Sequence, residues 1–176
     1  MKKLLTGVIA LVLTTALGLS AESAEAQSQQ GDIKAGVGLT YGSGVGFGSL
    51  SNDLGIRADG SYAFTPQIRG AADFTFYFPK SEGGVDMNFW ELNFNAHYIF
   101  FAEEAVSAYG LGGINIFGFS QESQAGEFSD SEMGLNLGAG VEYGLNFGDL
   151  FGELKLGGLG GNADQFVIGF GVRFGL

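Results

Sequence analysis

The feature that most constrains this chain is an alternation of apolar residues with polar or glycine residues, which recurs from residue 31 onward. In the last segment, one face is wholly apolar: Phe166, Ile168, Phe170, Val172, Phe174 and Leu176. The other face holds Val167, Gly169, Gly171, Arg173 and Gly175. Because successive side chains of a β-strand point to opposite sides, this period of two predicts a strand whose faces meet two different environments.

Seven earlier segments repeat the alternation, so the sequence predicts eight strands of about ten residues, the length that a tilted strand needs to cross a bilayer. Their apolar positions fall within residues 33–41, 56–64, 72–78, 90–100, 109–114, 135–145 and 154–156. In the segment around Tyr109 and Leu111, the phase is predicted to slip between Gly112 and Ile114, as at a β-bulge.

The predicted connections alternate in length. Short ones lie at residues 65–67, 102–105 and 146–149, and longer ones at 42–53, 79–86, 119–132 and 159–164. Short turns on one side and long loops on the other are typical of outer-membrane barrels. With an even number of strands, both chain ends are expected on the short-turn side, which is the periplasmic side.

The charges predict which face of each strand meets lipid. The apolar faces hold so many aromatic and branched residues that they would overfill the inside of eight strands, whereas the glycine-rich faces suit a narrow interior. The glycine-rich faces also balance basic with acidic residues, as expected where charges must pair in a poorly hydrated lumen. We predict an all-β, eight-stranded antiparallel up-and-down transmembrane β-barrel. Its predicted lumen charge network comprises Lys34, Arg57, Asp59, Arg69, Asp73, Glu91, His97, Glu142, Glu153, Lys155 and Arg173.

Aromatic residues cluster near the predicted strand ends, as the interface girdles of membrane barrels do. Those near the short turns are Tyr62, Phe64, Tyr98, Phe100, Tyr109, Tyr143 and Phe174. Those near the long loops are Phe76, Phe78, Phe89, Trp90 and Phe117. The alternative is a secreted β-sandwich with an aromatic core, because periodicity alone does not identify the solvent.

Composition excludes several classes of function. The 176 residues include no cysteine and one histidine, which excludes disulfide frameworks, thiolate metal sites and multi-histidine metal sites. The formal net charge of −11 argues against a nucleic-acid partner, since phosphate binding needs clustered Lys and Arg. A group of carboxylates near residues 122–132 lacks the spacing of a calcium-binding loop, so we expect a solvated acidic loop, and neither metal nor cofactor.

The N-terminal segment has the pattern of a secretory signal. Two lysines precede an apolar run over residues 4–19, and Ala24-Glu25-Ala26 fits a signal-peptidase site. We predict a signal peptide at residues 1–26, cleaved after Ala26, with cleavage after Ala21 or Ala24 as alternatives. Residues 27–176 would then form a single barrel domain, without a stretch long and apolar enough for a transmembrane helix.

With its signal sequence, eight predicted strands and alternating last strand, residues 31–176 resemble the small OmpA/OmpX-type outer-membrane β-barrels. In that family the last strand is the recognition signal for the barrel-insertion machinery and usually ends in Phe. The resemblance implies an insertion signal at Phe170, Val172, Phe174 and Leu176, with Leu176 departing from the usual terminal residue. The resemblance does not imply that this protein is tethered to peptidoglycan.

Some small barrels of this kind are lipid-modifying enzymes, so catalysis needs a test. A triad requires a nucleophile, a base and an orienting acid within reach of one another. His97 is the sole candidate base, and Ser61 and Ser107 are the nearest hydroxyl groups by register. The lipase pattern, a serine two residues after the histidine, fails because Ile99 stands there. We therefore expect His97 to belong to the lumen network and the protein not to be an enzyme.

The sequence thus favours a monomeric barrel of the bacterial outer membrane with a structural or surface-interaction role and acidic extracellular loops. Its expected partners are outer-membrane lipid and, during biogenesis, the insertion machinery, while any extracellular ligand stays open. The alternatives are a narrow pore gated by the charge network, a lipid-modifying enzyme and a loop-based adhesin. Within the network, register suggests that Arg57 pairs with Glu91.

Overall fold

A computed structural model describes residues 28–43, 52–82, 84–123, 126–161 and 164–176. The predicted signal peptide, its cleavage site and most of the loop at residues 42–53 lie outside the described residues. Within them the chain forms β1 (Ile33–Ser43), β2 (Asn52–Ala63), β3 (Ile68–Tyr77), β4 (Lys80–Glu82), β5 (Val85–Glu103), β6 (Val106–Ser123), β7 (Gly126–Leu145), β8 (Gly148–Leu159) and β9 (Gln165–Gly175).

The strands close into a ring in which every neighbouring pair is antiparallel. The order is β3-β2-β1-β9-β8-β7-β6-β5, and β3 also pairs with β5, which completes the circle. The three-residue β4 only extends the hairpin that leads into β5. Closure leaves no free edge around the ring, so eight long strands form an up-and-down barrel, as predicted.

Connections at one end of the barrel are tight, at residues 64–67, 104–105 and 146–147, and both described chain ends lie at that end. At the other end, β5, β6 and β7 continue well past their neighbours, because they have 18 to 20 residues whereas β1 has 11. The prediction of a long loop at residues 119–132 is therefore wrong. Its strands pair in register up to Ser123 and Gly126 and form a projecting hairpin.

The barrel is apolar outside and polar inside, the reverse of a water-soluble barrel. On the outer face, Phe170 is 53% exposed and Leu137 is 61% exposed, together with most of the other large apolar side chains. The inner face buries arginines, carboxylates and amides. Soluble barrels place their apolar face inside, so this arrangement requires an apolar solvent around the barrel. Among the described residues, no helix has the length and apolarity needed to cross a membrane.

The predicted phase slip between Gly112 and Ile114 is wrong. The register of β6 with β7 runs unbroken through this region, and Tyr109 and Leu111 both point into the barrel. The register shift instead lies on β5, between Ile99 and Phe101. Sequence reasoning failed here because two glycines of this strand, Gly110 and Gly112, lie on the outer face, whereas elsewhere the inner face is glycine-rich.

Two residues assigned to the aromatic girdles also point inward. Phe89 and Phe117 are buried at the long-strand end of the lumen, where they pack with Tyr77. The girdle assignment is wrong for these two and for Tyr109. Most of the others lie exposed on the outer face near the strand ends, including Tyr62, Phe64, Tyr98, Phe100, Phe174, Phe76 and Phe78.

Candidate functional site in the barrel lumen

All eleven residues predicted for the lumen charge network have side chains on the inner face. Side chains alternate between the two faces of a strand, and each of these residues alternates with the exposed apolar residues of its strand. The network has a basal cluster towards the short turns, defined here as Arg57, Asp59, Arg69, Glu142, Glu153 and Arg173. Glu91, Asp73 and Lys155 lie nearer the long-strand end, and Lys34 bridges to Asp149 at 2.7 Å by the short turns.

Arg173 is the centre of the basal cluster and is only 1% exposed. Its guanidinium lies 2.5 Å from Asp59 Oδ2 and 2.9 Å from Glu153 Oε1, and it also pairs with Glu142. It donates a further hydrogen bond of 3.1 Å to the hydroxyl of Tyr109. Because these partners lie on β2, β6, β7 and β8, a single side chain from β9 connects most of the barrel circumference.

Arg57 and Arg69 enter the lumen from β2 and β3, on the other side of β1 from Arg173. Arg57 on β2 pairs with Glu153 on β8, and it approaches Asp59 at 3.3 Å and Asp73 at 3.5 Å. Arg69 on β3 forms a two-pronged contact with Glu142 on β7, at 2.8 and 2.9 Å. The suggested pairing of Arg57 with Glu91 is wrong. Register shows which strands are adjacent but not how far a long side chain reaches across the lumen.

Aromatic rings support the basal cluster, and sequence reasoning missed them. The guanidinium of Arg173 lies 4.0 Å from the ring centroid of Phe151, and that of Arg69 lies 4.9 Å from that of Tyr109. His97 also stacks on Tyr109, with centroids 4.6 Å apart, and its Nδ1 lies 3.2 Å from Arg69. Cations are attracted to aromatic faces, so these rings partly replace the water that the arginines lose. The sequence could have predicted Phe151 as a lumen residue, because it lies on the same face of β8 as Glu153 and Lys155.

Two glycines create the space through which the arginines cross. A Cβ at Gly36 would lie 2.9 Å from Arg173 Cγ, and one at Gly169 would lie 3.2 Å from Arg57 Nη1. Both glycines belong to the wall formed by β1 and β9, where Gly38 also lies opposite Gly171. The glycine-rich wall and the long charged side chains are thus complementary parts of one packed interior.

Above the basal cluster, a layer of side-chain amides surrounds Glu91. The amide of Asn115 donates to Asn93 Oδ1 at 2.8 Å, and Asn136 donates to the same oxygen at 2.9 Å. Asn93 in turn donates to Asp73 at 2.8 Å. Glu91 accepts a hydrogen bond from Gln165, and Lys155 Nζ lies 3.6 Å from its carboxylate. The predicted network contained no amides and so missed these side chains, although Asn93 connects Asp73 with Glu91.

An aromatic lid closes the long-strand end of the lumen. It consists of Tyr77, Phe89 and Phe117, with Met87 and Phe119 packed against them. The hydroxyl of Tyr77 donates to Glu91 at 2.6 Å, which joins the lid to the amide layer. Buried hydroxyl groups need such partners, so the lid is held in place by one polar bond and by ring packing.

The residues of the predicted insertion signal lie on the outer face of β9 and at the chain end. Phe170 and Phe174 are exposed, Val172 is half-buried, and Leu176 is exposed beyond the last strand. Val172 pairs with Val37 on β1 and with Leu150 on β8. Recognition by the insertion machinery stays a prediction.

The described geometry does not assemble a catalytic triad around His97. The ring is 1% exposed, and its Nδ1 lies 3.2 Å from Arg69 Nη2. The hydroxyl groups of Ser61 and Ser107 are buried with no hydrogen-bond partner, so neither is bonded to the imidazole. A nucleophile and its base need to lie within hydrogen-bonding reach of each other. His97 is therefore packed inside the lumen without a hydrogen-bonded nucleophile.

The acidic residues Glu122, Glu127, Asp130 and Glu132 lie along the projecting hairpin of β6 and β7. Within the described ranges, no group of three or more His, Asp or Glu side chains is placed to hold a metal ion. Most of these positions are exposed to solvent. The hairpin thus presents a negatively charged surface beyond the end of the barrel.

Comparison with known proteins supports the architecture. A family model described as "Outer membrane protein beta-barrel domain" matches residues 10–174. Neisserial surface protein A has a similar structure, with a TM-score of 0.62, 19% identity, and coverage of 81% of this chain and 95% of that one. The N-terminal barrel of Pseudomonas aeruginosa OprF is also similar, with a TM-score of 0.60, 17% identity, and coverage of 85% of this chain and 100% of that one. Ail, the attachment invasion locus protein of Yersinia pestis, has a TM-score of 0.57 and 22% identity, with coverage of 83% of this chain and 100% of that one.

A search of curated protein sequences finds no significant match. The structural neighbours share the fold at low identity, while the family model spans nearly the whole barrel. The inverted polarity of the barrel independently requires a lipid environment. The chain therefore belongs to the outer membrane protein β-barrel domain family, and it is a barrel of the bacterial outer membrane.

Proposed function

We propose that this protein is a structural barrel of the outer membrane with a closed lumen, and that it displays the acidic hairpin of β6 and β7 at the cell surface. The observation that carries the proposal is the basal cluster, in which Arg57, Arg69 and Arg173 reach across the lumen to Glu142 and Glu153. The amide layer and the aromatic lid fill the space above it.

Electrostatics explains why such a lumen stays closed. An ion crossing it would have to separate arginines from carboxylates that are almost completely shielded from water. Removing one partner from a buried pair typically costs about 3–5 kcal/mol, because the other charge is left uncompensated. Passage would disrupt several such pairs at once, together with the hydrogen bonds of the amide layer.

Conductance of the refolded protein in a planar lipid bilayer tests this proposal. We expect the native protein to give no current steps. A matched variant, Arg57→Ala with Glu153→Ala, shortens two paired side chains without changing the net charge, so it should give small steps. Regular steps from the native protein would contradict a closed lumen, and a silent variant would show that the other side chains suffice to block it.

A narrow pore is the second candidate, and one observation favours it. Several buried polar atoms near the long-strand end have no hydrogen-bond partner, including Thr40 Oγ1, Asn136 Oδ1 and Gln165 Oε1. Buried groups of this kind are commonly satisfied by water, so this half of the lumen has places where water would bind. The same conductance experiment distinguishes the two candidates.

A surface-interaction role rests on the hairpin. Most of its carboxylates are exposed and Phe128 on β7 is 58% exposed, so a partner would need a basic or mixed apolar surface. One structure of Ail contains the heparin analogue sucrose octasulfate. The negative charge of the present hairpin disfavours a polyanion of that kind, so we do not extend this ligand to it.

We further propose that both chain ends are periplasmic, and that the protein is a monomer without enzymatic activity. Its partners would be outer-membrane lipid and, through Phe170, Val172, Phe174 and Leu176, the insertion machinery. The orientation is supported by the short turns at the same end as the termini. Because the chain lacks cysteine, Ser129→Cys and a cysteine added after Leu176 would each carry a single label. An impermeant thiol reagent should modify only the former on intact cells, and the reverse would contradict the orientation.

A further inference from the structure

The seam between β1 and β9 has few side chains inside the lumen near its centre. This pairing joins the first and last strands, so it has the largest loop to close, and loop closure costs conformational entropy. Near its centre, Gly38 lies opposite Gly171. At that point the two strands have no side chains inside the lumen with which to hold each other.

Polar contacts span this seam, and one of them starts on β9 itself. The pairs Lys34–Asp149 and Arg57–Glu153 cross it from β1 and β2 to β8. Asp59 on β2 lies opposite Gly36 on β1, and Gly36 lies opposite Arg173 on β9, so the three residues form a row across adjacent strands. Arg173 passes over the glycine and bonds to Asp59, with Nε 2.7 Å from Oδ2. A Cβ at Gly36 would clash with both partners, lying 2.9 Å from Arg173 Cγ. Glycine at this position is therefore what allows a residue of β9 to bind a residue of β2.

The basal cluster has an excess of negative charge until β9 is in place. Without β9, each of its carboxylates keeps one arginine, but Arg57 and Arg69 together face Asp59, Glu142 and Glu153, and Arg57 also lies 3.5 Å from Asp73. Arg173 contributes the third positive charge and contacts the three carboxylates of the cluster. Uncompensated charge inside a barrel is costly, so docking of β9 lowers this cost by bringing a third arginine to the carboxylates.

We propose that Arg173 is an electrostatic latch for the barrel, which couples neutralisation of the basal cluster to closure of the seam between β1 and β9. In this role it differs from Arg69, which is equally buried and also binds Glu142 but lies on β3, away from the seam. The latch is independent of whether the lumen conducts.

Amide hydrogen exchange of the refolded full barrel in detergent micelles tests the latch. Arg173→Met should accelerate exchange in residues 33–43 and 165–175 by roughly tenfold or more relative to the pair β3–β5, because local opening exposes only the seam. Arg69→Met should not favour the seam. Equal acceleration of both strand pairs in the two variants would overturn the proposal, since Arg173 would then be only one buried charge among several.

A second pair of variants decides the matter if Arg173→Met does not fold. Gly36→Ala keeps every charge but obstructs the contact between Arg173 and Asp59, so it should accelerate exchange at the seam. Gly60→Ala is its control, because a Cβ there meets only the carbonyl oxygen of Lys34, at 3.9 Å. The same exchange pattern in both alanine variants would overturn the latch. Because this readout is structural, a failed latch is distinguishable from a failed proposal of a closed lumen, which conductance measures.

Discussion

The pairing of Arg57 with Glu153 allows a quantitative test of the lumen network. The variants are Arg57→Met, Glu153→Gln and the double variant, each refolded in lipid vesicles and unfolded with urea. Trp90 is the sole tryptophan of the chain, so its fluorescence reports unfolding of each variant without added labels. The quantity measured is the free energy of unfolding, from which a double-mutant cycle isolates the pairwise coupling.

The magnitude follows from the contacts that each variant leaves behind. Loss of Arg57 removes one guanidinium from Glu153, which keeps Arg173 at 2.9 Å and the hydroxyl of Tyr109 at 2.7 Å. We therefore expect a loss near the lower end of the range for broken buried pairs, about 3 kcal/mol. Glu153→Gln should cost about 2 kcal/mol because its arginines retain other carboxylates. The double variant should also lose about 3 kcal/mol, which gives a coupling of about 2 kcal/mol.

Arg57 and Glu91 provide the matched control cycle. Glu91 belongs to the amide layer, where Tyr77, Gln165 and Lys155 are its partners. The coupling between Arg57 and Glu91 should therefore be about 0.5 kcal/mol or less, as for residues that are not in contact. Additive losses for Arg57 and Glu153, or an equally large coupling with Glu91, would refute the division of the lumen into a basal cluster and an amide layer.

Three further predictions concern the membrane and the packing of the lumen. Phe170→Arg should destabilise the barrel by about 2–4 kcal/mol near the bilayer centre, and Phe174→Arg by about 0–1 kcal/mol near the interface, in the same urea assay; equal losses would contradict the assigned depths. Gly171→Ala should cost about 1–3 kcal/mol, because its Cβ would lie 2.6 Å from Gly38 Cα, whereas Gly152→Ala on the outer face should be nearly neutral. The protein should need detergent or lipid to fold and should migrate differently on gels when unheated, and cooperative folding without an amphiphile would contradict the membrane assignment.

Period-two alternation was sufficient to predict the strands and the lipid-facing side, because that pattern arises directly from strand geometry and the two solvents. It failed at Tyr109 and Leu111, where both faces of β6 carry apolar residues and Gly110 and Gly112 lie outside. A small lumen also needs flat rings beside its charges, and Tyr109 fills that role because both His97 and Arg69 pack against its ring. Alternation alone cannot distinguish such a ring from one that faces lipid.

The members of the lumen network were predictable from parity, but their partners were not. Pairing across a barrel depends on strand tilt and side-chain length, so Arg57 reaches Glu153 on β8. The projecting hairpin was missed for a different reason. Its polar residues resemble a loop in sequence, while backbone pairing continues to Ser123 and Gly126 irrespective of side-chain polarity.

The central claim is that the apolar face of each strand meets lipid and the polar face fills the lumen. Because the chain lacks cysteine, a nitroxide can be attached to single cysteines introduced in turn at residues 166–174 of β9 in reconstituted vesicles. Collision with oxygen, which concentrates in the bilayer, should be high at positions 168, 170 and 172 and low at 169 and 171. The opposite phase, or high collision with a water-soluble nickel complex at 168, 170 and 172, would contradict the account.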